Sequence, residues 1–309
     1  MIEQLPDGQW QLSALQLCSA ASPAENLTLI SNLLRQLPPQ RPQLVALPEG
    51  ALCFGGPDGS NLEIAEPLGQ GPLQQALAAL ARQQQIYLLV GTLPTLPAAD
   101  AIAAHGMQHQ RFAASSLLFG PDGSLLADYQ KLHLFDADVS DNTARYRESD
   151  STQPGDKITV LALPVCQVSP TDEAGLPATA PLALKIGLSI CYDVRFAGLY
   201  QRMRQEGANL ICVPAAFTTV TGAAHWHTLL RARAIETQSY LLAPAQTGTH
   251  QNGRQTYGHS LIIDPWGNVL ADAGTETGMV SVTIDLTEVA RIRQQMPLAT
   301  HNRFGSDWL

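Results

Sequence analysis

The sequence predicts an α/β fold built of two sheets with helices on their outer faces. Three observations carry that reading. Short apolar segments of strand length alternate with longer segments of helical period. The order strand, helix, strand, helix runs twice along the chain and each time ends in hairpin-like segments, a weak internal symmetry and not a solenoid repeat. The 309 residues, 45% of them hydrophobic, can bury a large core. The proline-rich patch 38–42 and the stretch 94–104 sit between structured segments and read as loops, so one domain spanning 1–309 is expected.

In the first half, residues 11–17 read as a strand. A helix is then announced by Ser22-Pro23-Ala24-Glu25, a capping box with proline at the first helical position. Leu27, Ile30, Leu34 and Leu37 mark its apolar face. Residues 43–47 form a short apolar strand that delivers Pro48-Glu49-Gly50 at its C-terminal end, and a helix over 72–85 leads into a strand over 86–90. Residues 112–119 and 125–134 flank the Gly120-Pro121-Asp122-Gly123 turn and read as a hairpin with Lys131 near its far end.

In the second half, strands are expected over 158–165 and 184–190. Between them lies a stretch rich in Pro, Ala, Thr and acidic residues, read as an exposed surface insertion at 169–181. After Cys191 come a helix over 196–206 stopped by Gly207, a strand over 208–213, a helix over 224–238 and a strand over 240–245. A final antiparallel group follows: 258–263, the Pro265-Trp266-Gly267 turn, 268–271 and 279–284, with a C-terminal tail from about 286.

A net charge of −9 with no lysine or arginine cluster argues against nucleic acid or an anionic membrane as partner, which leaves a small-molecule substrate. No apolar run approaches the roughly 20 residues that span a bilayer. The first ten residues carry neither a basic nor an apolar signal region, so a cytoplasmic location is expected. The five cysteines (18, 53, 166, 191, 212) are odd in number and scattered without a C-x-x-C pair, which disfavours a disulfide framework or zinc ribbon. Most should be small buried hydrophobes.

Cys191 ends an apolar strand where a helix begins, a place where unpaired N–H groups and the macrodipole favour thiolate over thiol. A cysteine at a strand end can equally be a packing residue. Glu49 follows Leu44-Val45-Ala46-Leu47-Pro48 and is poorly placed for solvation; burial and a nearby thiolate would raise its pKa toward that of a general base. Its alternative is a carboxylate capping a loop. Lys131 is a single cation among apolar and aromatic neighbours, or else an ordinary exposed strand lysine. His225 and His227 lie two apart on a predicted helix and point in different directions, while His105 and His109 sit in a loop with no third ligand nearby, so no metal is expected. Trp226 and Trp266 read as packing residues.

Taken together and in this order, Leu47-Pro48-Glu49, Lys131-Leu132-His133-Leu134-Phe135 and the segment from Gly187 through Ile190-Cys191-Tyr192-Asp193 to Arg195-Phe196 resemble the nitrilase (carbon-nitrogen hydrolase) superfamily over about residues 12–285. The resemblance implies a four-layer αββα sandwich, a catalytic set of Glu49, Lys131 and Cys191, and a further glutamate, Glu148, supporting the lysine. It implies a thioester mechanism without a cofactor, with Lys131 and the Tyr192 N–H holding the oxyanion. Superfamily members pair sandwiches face to face, which implies a homodimer or higher homo-oligomer. The stretch 137–143 and the insertion at 169–181 depart from the family pattern.

Tyr192-Asp193 after the cysteine, where nitrilases proper carry Trp-Glu, implies an amidase. Phe217, the run Thr221 to Trp226, the run Arg231 to Gln238 and Tyr257-Gly258-His259-Ser260 look like the deaminated-glutathione amidase branch. The omega-amidase branch is the near alternative, and an inactive oligomeric scaffold is the alternative of a different class. Both branches cleave a 2-oxoglutaryl amide, so the site must hold an α-keto carboxylate. Arg195, four residues after Cys191, has the planar fork that suits it, or else forms a structural ion pair with Asp193 or another carboxylate. Phe217 and Thr221 would line the same pocket.

Overall fold

Leu12, Leu44 and Leu89 point to one face of a sheet while Leu15, Val45 and Leu88 point to the other, and both faces are buried. Near-continuous apolar strands are what parallel strands covered on both faces require. The computed structural model describes residues 2–96, 111–141, 145–163 and 183–303. The expected insertion at 169–181, Cys166, His105, His109 and the last six residues lie outside the described residues.

The strands in chain order are β1 Gln9–Gln16, β2 Gln43–Ala46, β3 Tyr87–Leu96, β4 Phe112–Phe119, β5 Leu125–Gln130, β6 Thr159–Leu163, β7 Leu184–Leu188, β8 Leu210–Cys212, β9 Tyr240–Ala243, β10 Leu261–Ile263, β11 Val269–Asp272 and β12 Gly278–Asp285, with shorter ones between. The main helices are α1 Pro23–Leu34, α2 Pro72–Gln84, α3 Ala197–Gln205, α4 Thr219–Thr237 and α5 Leu286–Gln295.

In the first sheet β1, β2 and β3 run parallel, β4 returns antiparallel beside β3, β5 pairs β4, and β12 lies antiparallel to β1. In the second, β7, β8 and β9 run parallel, flanked by antiparallel β6 on one side and by β10 and β11 on the other. Each half thus repeats three parallel strands with antiparallel neighbours, the symmetry expected from the element order.

One apolar cluster fills the space between the sheets, with Trp10, Leu12, Leu44 and Leu89 from the first and Ile186, Leu210, Leu241 and Ile263 from the second. The same cluster continues through Tyr200, Met203, Trp226 and Leu230 of α3 and α4 on the far side of the second sheet. A separate cluster joins Leu15, Val45, Leu47 and Leu88 to Ile30 and Leu34 of α1 and Leu77 and Ala81 of α2. The layers are therefore helices, sheet, sheet, helices, the expected four-layer αββα sandwich.

Boundaries moved where tertiary contacts extended an element. Ser22 does cap α1, accepting the Glu25 N–H at 3.4 Å. The helix expected from 224 instead begins at Thr219, because Thr218 caps it through the Thr221 N–H at 3.2 Å. The strand expected to stop at 90 runs on to Leu96. The stretch from 286 starts with α5, whose Leu286, Val289 and Ile292 are buried. No helix among the described residues is long and apolar enough to cross a membrane.

Candidate active site

Glu49 is set at the C-terminal end of β2. The Leu47 N–H still bonds the Leu89 carbonyl at 2.8 Å, and the chain then turns at Pro48-Glu49-Gly50, where the Gly50 N–H bonds Thr92 Oγ1 at 2.7 Å. This turn packs on a register shift in β3. A Cβ on Gly91 would lie 2.2 Å from the Pro48 carbonyl oxygen, so only glycine permits the approach. Gln246 ties the turn to the second sheet through its Nε2 bond to the Glu49 carbonyl, 3.0 Å.

Lys131 is the residue after β5. Its backbone is held on both sides, by Ala114 O at 3.0 Å and Gly155 N at 2.9 Å. Its ammonium, only 2% exposed, donates to Glu49 Oε1 at 2.8 Å and to both Glu148 oxygens at 2.9 Å. All three N–H donors are thereby used. Burial alone would favour the neutral amine, but the two carboxylates outweigh it and hold the ammonium charged well beyond the usual lysine range. Glu148, in the 3-10 turn Glu148–Asp150, is itself fixed by the Phe135 N–H at 2.6 Å. The irregular stretch before it does not displace it from the lysine.

Cys191 stands two residues beyond Ile190's predecessor Ser189, in a left-handed backbone conformation (φ 48°) that non-glycine residues rarely adopt and that often marks functional sites. The helix expected to start at once is instead a five-residue 3-10 turn, Cys191–Arg195, separated from α3 by the non-helical Phe196 (φ −103°, ψ 89°). A turn this short carries little macrodipole, and the thiol is not driven toward thiolate. Burial pushes it well above its ordinary range and the Glu49 charge adds to this, against weaker pulls from Lys131 and the Ala216 backbone. Glu49 is also corrected: burial raises it, but the Lys131 charge and hydrogen bond, with that of the Cys191 thiol, prevail and keep it below the usual glutamate value. The resting pair is thus a neutral thiol donating to a charged carboxylate, an arrangement ready to pass one proton from sulfur to oxygen.

Asp193 joins these elements, and sequence reasoning missed it. Fully buried, it accepts from the Ile190 N–H (2.9 Å), the Tyr129 hydroxyl (2.7 Å), the His133 N–H (3.0 Å) and His133 Nδ1 (2.7 Å). One carboxylate therefore clamps the segment carrying Lys131 to the segment carrying Cys191. The Arg195–Asp193 ion pair considered from sequence does not form. Arg195 instead lies over Tyr192 and Phe217, 5.6 and 5.2 Å from the ring centroids, with Nη1 3.2 Å from His225 Nδ1.

A cavity of about 310 Å³ opens on this cluster, lined among others by Glu49, Lys131, Glu148, Cys191, Tyr192, Arg195, Phe217 and Thr221. Every site residue expected from sequence therefore borders one space. The cavity also holds Arg145, Arg147 and Arg254, which sequence reasoning did not single out. His225 and His227 do diverge, but His227 meets partners from elsewhere in the chain: Asp272 bonds it at 3.1 Å and His259 at 2.9 Å. These three donor groups lie within 4.8 Å of one another and hydrogen-bond among themselves.

A buried cysteine bonded to a carboxylate, with a lysine held by two glutamates at the strand ends of an αββα sandwich, defines a class of thiol-dependent hydrolases of carbon–nitrogen bonds. The chain belongs to the carbon-nitrogen hydrolase family, whose pattern matches residues 11–294. It is 40% identical to the deaminated glutathione amidase of Yersinia enterocolitica over 295 residues, covering 96% of this chain and 93% of that one. It is 35% identical to the omega-amidase of Bos taurus over 296 residues, 95% of each. Among solved structures it is similar to a Saccharomyces cerevisiae member of branch 10 of the nitrilase superfamily, at 28% identity and TM-score 0.76, covering 96% of this chain and 97% of that one. The chain is a hydrolase acting on carbon–nitrogen amide bonds.

Proposed function

We propose that the chain hydrolyses deaminated glutathione to 2-oxoglutarate and cysteinylglycine through a thioester on Cys191. The observation that carries the chemistry is Lys131 Nζ held 2.8 Å from Glu49, whose carboxylate accepts from the Cys191 thiol. Sulfur attacks the amide carbonyl as its proton passes to Glu49. The oxyanion is met by Lys131 and by the Tyr192 N–H, which lies in the first turn of its helix, where N–H groups have no partner inside the helix. Collapse breaks the C–N bond while Glu49 returns the proton to the departing amine, which a poor leaving group requires. Water then attacks the thioester with Glu49 again taking a proton, and the thiol is regenerated. Glu148 keeps the Lys131 ammonium charged and aimed throughout.

Arg195 would take the α-keto carboxylate, with Phe217 and Thr221 beside it. The similarity to deaminated glutathione amidases supports that substrate, and the omega-amidases are the competing reading. Kinetics on deaminated glutathione, 2-oxoglutaramate, glutamine and a simple aliphatic amide test it. The first should be preferred, and Arg195→Ala should collapse activity on both keto acids while simple amides stay poor. If wild type favoured 2-oxoglutaramate at least about tenfold, a difference of about 1.4 kcal/mol, the omega-amidase reading would take its place.

We also propose a homodimer or higher homo-oligomer in the cytoplasm. Cys18, Cys53, Cys191 and Cys212, free of disulfides, support the location, and Val220 and Ile235 exposed on α4 support the self-association. Light scattering behind a sizing column tests the second.

A further inference from the structure

The cavity is strongly cationic in a chain of net charge −9. Its lining holds Lys131 and four arginines against two carboxylates, Glu49 and Glu148, and both of these are committed to Lys131. One arginine, Arg195, serves the acyl half of the substrate in the function proposed above. Arg254 has no such employment. Its guanidinium lies between two rings, 4.7 Å from the Phe54 centroid and 4.9 Å from that of Tyr146. It makes one hydrogen bond, from Nη2 to the Ala216 carbonyl at 3.3 Å, and its buried Nε has no partner among the described residues. No carboxylate of the described residues forms an ion pair with it. A guanidinium offers five N–H donors, and burying them unpaired is costly. A planar fork packed against aromatic rings and short of hydrogen-bond acceptors suits a carboxylate.

Its ring contacts differ from those of Arg195. Arg195 lies over Tyr192 and Phe217 and Arg254 over Phe54 and Tyr146, while Phe135 touches both Tyr192 and Tyr146 at centroid distances of 5.0 and 5.1 Å. The two arginines thus stack on different rings of the one cavity. Arg254 belongs to the Glu49 side: Phe54 follows Glu49 in the same loop, and the Arg254 charge acts on that carboxylate. Glu49 has to reach the departing nitrogen, so the amine half of the substrate leaves on this side.

We propose that Arg254, clamped between Phe54 and Tyr146, is a second carboxylate subsite that binds the leaving-amine half of the substrate. The substrate class is then an amide with an acidic group at each end: an α-keto carboxylate for Arg195 and a carboxylate-terminated amine for Arg254. A molecule of tripeptide length, roughly 10 Å when extended, carries such a group at each end. The inference rests on the function proposed above and explains within it why a dipeptidyl amine would be favoured over ammonia as leaving group. A primary amide such as 2-oxoglutaramate leaves the second subsite empty.

The test compares deaminated glutathione, the same compound with its C-terminal carboxylate converted to carboxamide, and 2-oxoglutaramate, using wild type, Arg254→Met and Arg254→Lys. Wild type should lose at least about tenfold in kcat/KM on the carboxamide, chiefly through KM. Arg254→Met should treat acid and carboxamide alike within about twofold, having lost selectivity for deaminated glutathione over 2-oxoglutaramate, and Arg254→Lys should recover part of it. If wild type hydrolyses acid and carboxamide equally well, the second subsite is refuted while the amidase assignment stands, and this arm needs no variant to fold. If Arg254→Met lowers all three substrates by the same factor, Arg254 acts only as a packing or electrostatic prop for Glu49 and the proposal also falls. If wild type cleaves 2-oxoglutaramate but not deaminated glutathione, the functional reading fails first and the subsite with it.

Discussion

Replacing Asp193 by asparagine separates a packing role from a positioning role at this site. The carboxylate is completely buried, and each of its oxygens accepts one backbone N–H: Ile190 on Oδ2 and His133 on Oδ1. Asparagine has one acceptor oxygen, so whichever way its amide turns, an NH2 faces one of those backbone donors. A buried donor left unpaired costs about 1–3 kcal/mol. The bonds that remain on the single carbonyl oxygen also lose their charge assistance, which roughly halves such bonds. The sum is about 3 kcal/mol, which for a chain of this size lowers Tm by about 6 °C at roughly 2 °C per kcal/mol.

Activity should fall further than stability suggests, because the same bonds hold the Cys191 segment to the Lys131 segment. A misplacement of about 1 Å can cost about a hundredfold. Calorimetry gives the first quantity, and kcat on 2-oxoglutaramate with the alkylation rate of Cys191 gives the second. An Asp193→Asn enzyme within about 2 °C and twofold of wild type would show that the clamp does not position the two segments.

Cys191→Ala should fold normally and lose all amide hydrolysis, whereas alanine at Cys18, Cys53 or Cys212 should leave the chemistry in place; an active Cys191→Ala enzyme refutes the thioester route. Glu49→Gln removes a charge that raises the thiol's pKa, so simple electrostatics would make Cys191 alkylate faster; proton removal by Glu49 predicts slower alkylation, at least about tenfold at neutral pH, as well as a larger loss on amides than on activated esters. Because Lys131 holds the Glu49 carboxyl below the glutamate reference of 4.5, its carboxylate form persists into mildly acidic solution, and the acid limb of kcat/KM should lie below that value. A limb at pH 6 or above would contradict this order of effects.

The three motifs were legible in the sequence because each couples a chemically distinctive residue to a strand end: Glu49 after β2, Lys131 after β5 and Cys191 after β7. Alternation along β1 and β2 and the doubled strand–helix order were enough to indicate two sheets with outer helices, since period and order are properties of the chain itself. The protonation states were not legible. A strand-end cysteine suggested a thiolate, but charge in a buried cluster depends on every neighbour within a few ångströms, and here two carboxylates share one ammonium.

The final antiparallel group shows the same division for the fold. Sequence marks β10, β11 and β12 as strands, but only the tertiary structure sends β12 across to the first sheet, where it pairs β1 over residues separated by most of the chain. Asp193 and Arg254 followed that rule at the site. Asp193 bonds Tyr129 from 64 residues away, and Arg254 meets Phe54 from a loop and Tyr146 from the short strand Arg145–Arg147. Local periodicity and motif spacing determine which segments become strands and which side chains stand at their ends. Which strand edges meet, and which polar groups are left together where water is excluded, are decided by long-range packing, because those partners become neighbours only once the two halves of the chain close on each other.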